Sequence, residues 1–232
     1  MKPEEIAARV LHRDGLILIV DKPAGLPVHR GPASADHKTG VAFEDYFETY
    51  KFGLPRCPAL AHRLDKDTSG CLALGRHHKA LERLGALFKQ GRVQKTYWAV
   101  VEGAPPDEGF IDMALGRRDA ARGWWMKPDR AGQPAQTRFR VLGREDGPDG
   151  PRAFLELTPL TGRTHQLRVH CAESGFPILG DCIYGRAARF EGPPLHLHAR
   201  RLVVPMQPNK PPVDAMAPPP AHWTAPLDRF IL

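Results

Sequence analysis

The sequence is poor in cysteine and in long apolar runs, and it lacks the common nucleotide-binding loop signatures. Its four cysteines, Cys57, Cys71, Cys171 and Cys182, include no CxxC pair, which argues against a disulfide framework and against a zinc ribbon. Free thiols in a reducing compartment are expected. The longest apolar run, Leu16 to Val20, falls far short of the roughly 20 residues that a membrane helix needs. Met1-Lys2-Pro3-Glu4-Glu5 carries acids where a signal peptide would be apolar, so no membrane association and a cytoplasmic location are expected. There is no G-x-x-x-x-G-K-[ST], no G-x-G-x-x-G after a strand and no G-x-S-x-G, which disfavours nucleotide hydrolysis, nicotinamide chemistry and a serine-hydrolase elbow.

What is present fits one globular domain. The chain has 232 residues, 42% of them hydrophobic, with 33 basic against 26 acidic residues and a formal charge of +7. Such an excess suits a polyanionic partner, because each Lys or Arg that meets a phosphate releases condensed counterions. Charge alone fits an ordinary basic enzyme equally well.

Periodicity gives a coarse map. Leu16 to Val20 predicts a strand ended by the turn Asp21-Lys22-Pro23-Ala24-Gly25. Gly31 to Gly40 predicts a polar loop, after which Thr39 is expected to cap a helix bearing Phe43 and Phe47 on one face. Cys71 to Leu74 and Val93 to Val101 read as strands, and His78 to Gln90 as a helix stopped by Gly91. Arg138 to Leu142 and Ala153 to Leu157 read as strands joined by a Gly/Asp/Pro turn. Thr164 to Ser174 reads as a helix capped by Thr164 and ended by Gly175. The proline-rich segment 205–220 predicts an extended strap. Mixed strands and helices without a steady β-α-β rhythm favour an α+β domain.

Three polar clusters are candidates for chemistry. In Ala61-His62-Arg63-Leu64-Asp65-Lys66-Asp67-Thr68-Ser69-Gly70, flanking cations favour the charged form of Asp65, a nucleophile or base; a plain capped turn is the competing explanation. In Gly91-Arg92-Val93-Gln94-Lys95-Thr96-Tyr97-Trp98-Ala99, an aromatic can stack on an extruded base, or Tyr97 and Trp98 are simply strand residues on opposite faces. In Leu160 to His170, basic residues at a helix start suit an anion. His165 and His170, five apart, do not share a face as paired ligands would, and His196 and His198 have no partner cluster. No metal is therefore expected.

Taken together, the clusters resemble a known family. His62-Arg63-Leu64-Asp65-x-x-Thr68-Ser69-Gly70 is similar to the catalytic signature of pseudouridine synthases of the ribosomal large subunit pseudouridine synthase A type. Collinear segments add to the likeness: Asp21 to His29, Lys95-x-Tyr97-x-Ala99, Gly162 to His170, Gly175-x-Pro177-Ile178-Leu179-Gly180-Asp181-x-x-Tyr184-Gly185, and Leu197-His198-Ala199. The resemblance implies a single catalytic domain over 1–205, built on a bent, mixed, mostly antiparallel sheet with flanking helices and a central active-site cleft. The tail 206–232 is expected to pack on it. The implied activity is isomerisation of uridine to pseudouridine in RNA, without a cofactor and as a monomer. By the same resemblance Asp65 is the essential carboxylate, Tyr97 lies against the uracil, Arg168 pairs with Asp65, Leu167 walls the pocket, and Arg63 enters the RNA stack. His62 and Arg163 are expected to contact the substrate.

The stretch Asp112 to Arg140 carries seven basic and three acidic residues around Trp124 and Trp125. It is expected to grip RNA through Arg117, Arg118 and Arg122. A solvated hairpin is the alternative. Two rival functions are a catalytically silent RNA-binding protein and a carboxylate-dependent glycoside or nucleoside hydrolase. The first has little use for Asp65, Tyr97 and Arg168 together. The second needs a partner carboxyl, for which Asp67 or Asp181 could be nominated, though nothing in the sequence singles out either.

Overall fold

The computed structural model describes residues 2–30, 40–118, 125–147 and 149–223. The strands in chain order are β1 Val10–Arg13, β2 Ile17–Lys22, β3 Ala59–Leu60, β4 Ser69–Gly75, β5 Gln94–Glu102 and β6 Glu108–Asp112. They continue with β7 Leu115–Arg117, β8 Met126–Pro128, β9 Gln136–Gly147, β10 Gly150–Pro159, β11 Leu197–Val204 and β12 Val213–Met216. The helices are α1 Pro3–Ala7, α2 His78–Lys89 and α3 Gln166–Glu173. The class is α+β, as the sequence indicates. Two compact units are distinguishable: Met1–Gln94 with Ala199–Pro218, and Lys95–His198 with Pro219–Leu232.

In the first unit, β2 and β4 pair antiparallel from Ile17 opposite Gly75 to Lys22 opposite Gly70. Both are buried along nearly their whole length, which is why they read as continuous apolar runs rather than alternating ones. Ile17, Ile19, Cys71 and Ala73 face a core completed by Ala80, Leu84 and Leu87 of α2. The i, i+4, i+7 spacing of those three puts them on one side of the helix, and each buried leucine contributes about 2 kcal/mol. Phe43, Phe47 and Tyr50 pack edge-on or tilted against one another, and the Tyr50 hydroxyl donates to the carbonyl of Ile6 at 2.8 Å. That segment is a 3-10 helix, Phe43–Tyr50, with Ala42 at its N-cap position; Thr39, expected as its cap, lies outside the described residues, as do 31–38. The proline-rich segment supplies β12, which pairs antiparallel with β11 from Arg201 opposite Met216 to Val204 opposite Val213.

In the second unit, the order is β5-β10-β9-β6, with Tyr97 opposite Leu157 on β10 and Phe110 opposite Arg138 on β9. The β9–β10 hairpin runs well beyond the two short strands expected. One face packs Ala99, Val101, Leu155 and Leu157 against Leu167, Cys171 and Phe176. The other packs Val100 and Phe154 against Trp223, with Trp98 beside them. Helix α3 starts at Gln166, and its cap is His165 in a left-handed conformation (φ 52°) rather than Thr164. Six consecutive residues of α3, Gln166 to Cys171, are buried, so its polar side chains are committed inside the unit.

Candidate active site

Asp65 lies half-buried between exposed Arg63 and Lys66, in a turn closed by the Thr68 amide donating to the Asp65 carbonyl at 3.2 Å. Three features fix this loop. Leu64 is 5% exposed and anchors it in the interior. The His62 ring stacks on Phe88 of α2 at 4.2 Å, while its Nε2 accepts the Ala73 amide at 2.8 Å. His62, expected to touch substrate, thus serves to tie the loop to β4 and α2. The third feature is Lys22, whose fully buried ammonium donates to the carbonyls of Pro23, Leu26 and Lys66 at 2.7, 2.8 and 3.0 Å. Burial lowers its pKa to about 7 against the opposing charges of Asp67, Asp65 and Asp21.

The glycine that ends the signature is a steric necessity. A Cβ on Gly70 would lie 2.3 Å from the Ala199 carbonyl oxygen, and its φ is +106°. Only glycine tolerates both conditions.

In the second unit, Tyr97 of β5 packs on the same core face as Leu167. Arg168 is 4% exposed, and its guanidinium donates through Nε and Nη2 to the two carboxylate oxygens of Asp181 at 2.8 and 2.7 Å. Asp181 also accepts the amides of Ile183 and Tyr184. Burial works to raise the Asp181 carboxyl, but Arg168 and those amides outweigh it, and its pKa lies below the ordinary value. Asp181 is therefore occupied in holding Arg168, which weakens its nomination as the second carboxyl of a hydrolase. The ring of Tyr184 lies under the Arg168 guanidinium at 5.4 Å, and its hydroxyl bonds the His165 ring at 2.8 Å and accepts the Met126 amide at 2.9 Å. Gln166 braces the preceding loop: its Oε1 accepts from the Thr161 hydroxyl and the Arg163 amide, and its Nε2 donates to the Gln136 carbonyl and to Thr137.

The basic stretch forms the antiparallel β7–β8 hairpin, seated through Leu115, Met126 and Tyr184 on Val169 of α3. Arg117, Arg118, Lys127 and Arg130 are exposed, with Arg118 over the Trp125 ring at 5.7 Å. Arg122 and Trp124 lie outside the described residues. Of the histidines considered as ligands, His170 bonds Thr137 and the Met113 carbonyl, and His196 bonds the Pro194 carbonyl and stacks on Trp223.

Sequence reasoning singles out neither Lys22, Lys95, Gln166 nor Tyr184 as site residues, and it nominates Asp181 only by its place in the chain. All five lie inside the collinear segments, but a buried lysine or a bracing amide has no spacing signature of its own.

A carboxylate on a braced turn between exposed cations suits acid–base or nucleophilic chemistry, and an exposed basic hairpin suits a polyanionic partner. The RNA pseudouridylate synthase family model matches residues 16–173. An uncharacterized RNA pseudouridine synthase of Zymomonas mobilis is 40% identical over 222 residues, covering 94% of this chain and 97% of the relative. The tRNA pseudouridine synthase C of Salmonella typhimurium is 34% identical over 203 residues, covering 84% of this chain and 76% of its own. The structure of human RNA pseudouridylate synthase domain containing 4 superposes with a TM-score of 0.78 at 27% identity, covering 98% of this chain and 95% of that one. The chain belongs to the RNA pseudouridylate synthase family, isomerases that convert uridine to pseudouridine within RNA. No helix among the described residues is long and apolar enough to cross a membrane.

Proposed function

We propose that the chain isomerises a specific uridine in transfer RNA or large-subunit ribosomal RNA, with Asp65 as the catalytic carboxylate. The observation that carries this reading is the bracing of the Asp65 turn by Leu64, His62 and Lys22, the kind of support that holds a reacting group in register. The target uridine leaves its stack, at a cost of a few kcal/mol, and Arg63 fills the space it leaves. The uracil lies against Tyr97 with Leu167 on the same face, and Asp181 aims Arg168, the cation that the family resemblance assigns to the catalytic carboxylate. The N1–C1′ bond breaks, the uracil turns, and C5 joins C1′; N1 gains a proton and the C5 hydrogen leaves to solvent. No electrons or groups are exchanged with a second reactant. Arg117, Arg118 and Arg122 grip RNA phosphates, and Arg163 contacts the substrate. A relative named for transfer RNA supports that substrate class, and the resemblance to large-subunit synthases supports the other. The enzyme works as a cytoplasmic monomer.

Tritium release tests the reading. Purified chain is incubated with transfer RNA and ribosomal RNA transcripts carrying 5-tritiated uridine. Tritium should enter the solvent, and one pseudouridine should appear for each tritium lost. No release from either RNA contradicts the proposal, and free uracil in solution makes the chain a hydrolase instead.

A further inference from the structure

We propose that Lys95 and Arg163 form a binding site for one backbone phosphate of the RNA, adjoining the uracil on Tyr97. The inference rests on the reading above and adds a ligand contact to it. Lys95 stands two residues before Tyr97 on β5, so both side chains project from the same face of the sheet, the face on which Leu157 and Leu167 lie. Its Nζ donates to the Thr161 carbonyl at 2.9 Å and comes within 3.7 Å of the position a Cβ would take on Gly162. Arg163, one residue further along that loop, donates from Nε to the Pro134 carbonyl at 3.0 Å. Among the described residues neither cation forms an ion pair with a carboxylate.

Lys95 is thus held, largely desolvated, against the loop that carries Arg163. Burial and the Arg163 charge together lower the Lys95 pKa to about 8. Placing like charges together in a partly dry site is costly unless an anion completes it. The loop is also preorganised, because Gln166 accepts from both the Thr161 hydroxyl and the Arg163 amide. The anionic groups of RNA are its phosphates, and an ammonium beside a guanidinium offers several charge-assisted donors to one phosphate. The distance from residue 95 to residue 97 along a strand, about 7 Å, suits a base on Tyr97 with an adjoining phosphate at Lys95.

The test is RNA binding by the full chain as a function of KCl, using the transcript that the wild-type chain converts. Lys95→Met is expected to weaken binding about tenfold and to reduce the slope of log K against log salt by about 0.7, one single-strand phosphate. Lys95→Arg should restore both. Replacing the phosphate beside the target uridine with a neutral methylphosphonate should weaken wild-type binding by a similar factor and leave Lys95→Met unaffected. An unchanged slope in folded Lys95→Met overturns the site, and so do losses from variant and methylphosphonate that add in full. Should Lys95→Met fail to fold, Arg163→Met takes its place with the same expected results. Wild-type conversion with normal Lys95→Met binding refutes the phosphate site alone, whereas no conversion of any RNA refutes the functional reading beneath it.

Discussion

Raising the pH from 7.0 to 8.5 is expected to stabilise the fold by about 1.5 kcal/mol through Lys22 alone. Lys22 is fully buried, and burial lowers its pKa from 10.5 to about 7. Between those two values the unfolded chain holds a proton that the folded chain tends to release. At pH 7 this difference costs the folded state about 4 kcal/mol, and the cost shrinks as the pH climbs toward 10.5. The window stops at 8.5 because Cys71, pushed up to about 12 by burial, opposes the trend once unfolded thiols ionise. The assay is urea unfolding of wild type and Lys22→Met at both pH values. The variant relieves the burial cost but leaves the carbonyls of Pro23, Leu26 and Lys66 without their donor, at about 1–3 kcal/mol each. Its absolute stability is therefore not diagnostic, while its pH response is. Wild type should gain about 1.5 kcal/mol more than Lys22→Met across the window. Equal gains would refute the assignment.

Three further outcomes are expected. Gly70→Ala drives a Cβ into the Ala199 carbonyl at positive φ and should cost about 3 kcal/mol or more, read as a lower urea midpoint. Asp181→Asn removes the carboxylate that takes two Arg168 N–H bonds and should cost roughly 3 kcal/mol, a Tm drop of about 10 °C, by calorimetry. Replacing Arg117, Arg118 and Arg122 together with alanine should weaken RNA binding and flatten its salt dependence by about 0.7–0.9 for each phosphate no longer neutralised; unchanged binding in a salt titration would make the hairpin a bystander.

The parts of the fold legible in the sequence are those whose pattern is local. The helix of Ala80, Leu84 and Leu87 and the strands β2 and β4 follow from apolar spacing, because one helix face and two nearly fully buried strands leave distinct patterns. The caps of the 3-10 helix and of α3 do not. Thr164 is a good cap by residue type, yet His165 takes the position in a left-handed conformation, with its ring bonded to Tyr184, nineteen residues further on. The antiparallel role of Val213–Met216 is hidden by surrounding prolines, since pairing with β11 is a tertiary choice. At the site, the position of Asp65 is readable from its signature. The residues that aim and brace the signatures are not, because the contacts of Lys22, Asp181 and Gln166, some a few residues away and some, such as Lys22 to Lys66 and Gln166 to Thr137, tens of residues away, follow no periodic spacing.

The most direct test of the central claim is pseudouridine mapping of total RNA from cells carrying the wild-type chain, an Asp65→Asn chain, or none. Specific uridines should be modified only with the wild-type chain, and the same sites should be lost in both other strains. Modification that persists with Asp65→Asn would contradict the role given to that carboxylate, and a map unchanged in all three strains would contradict the activity.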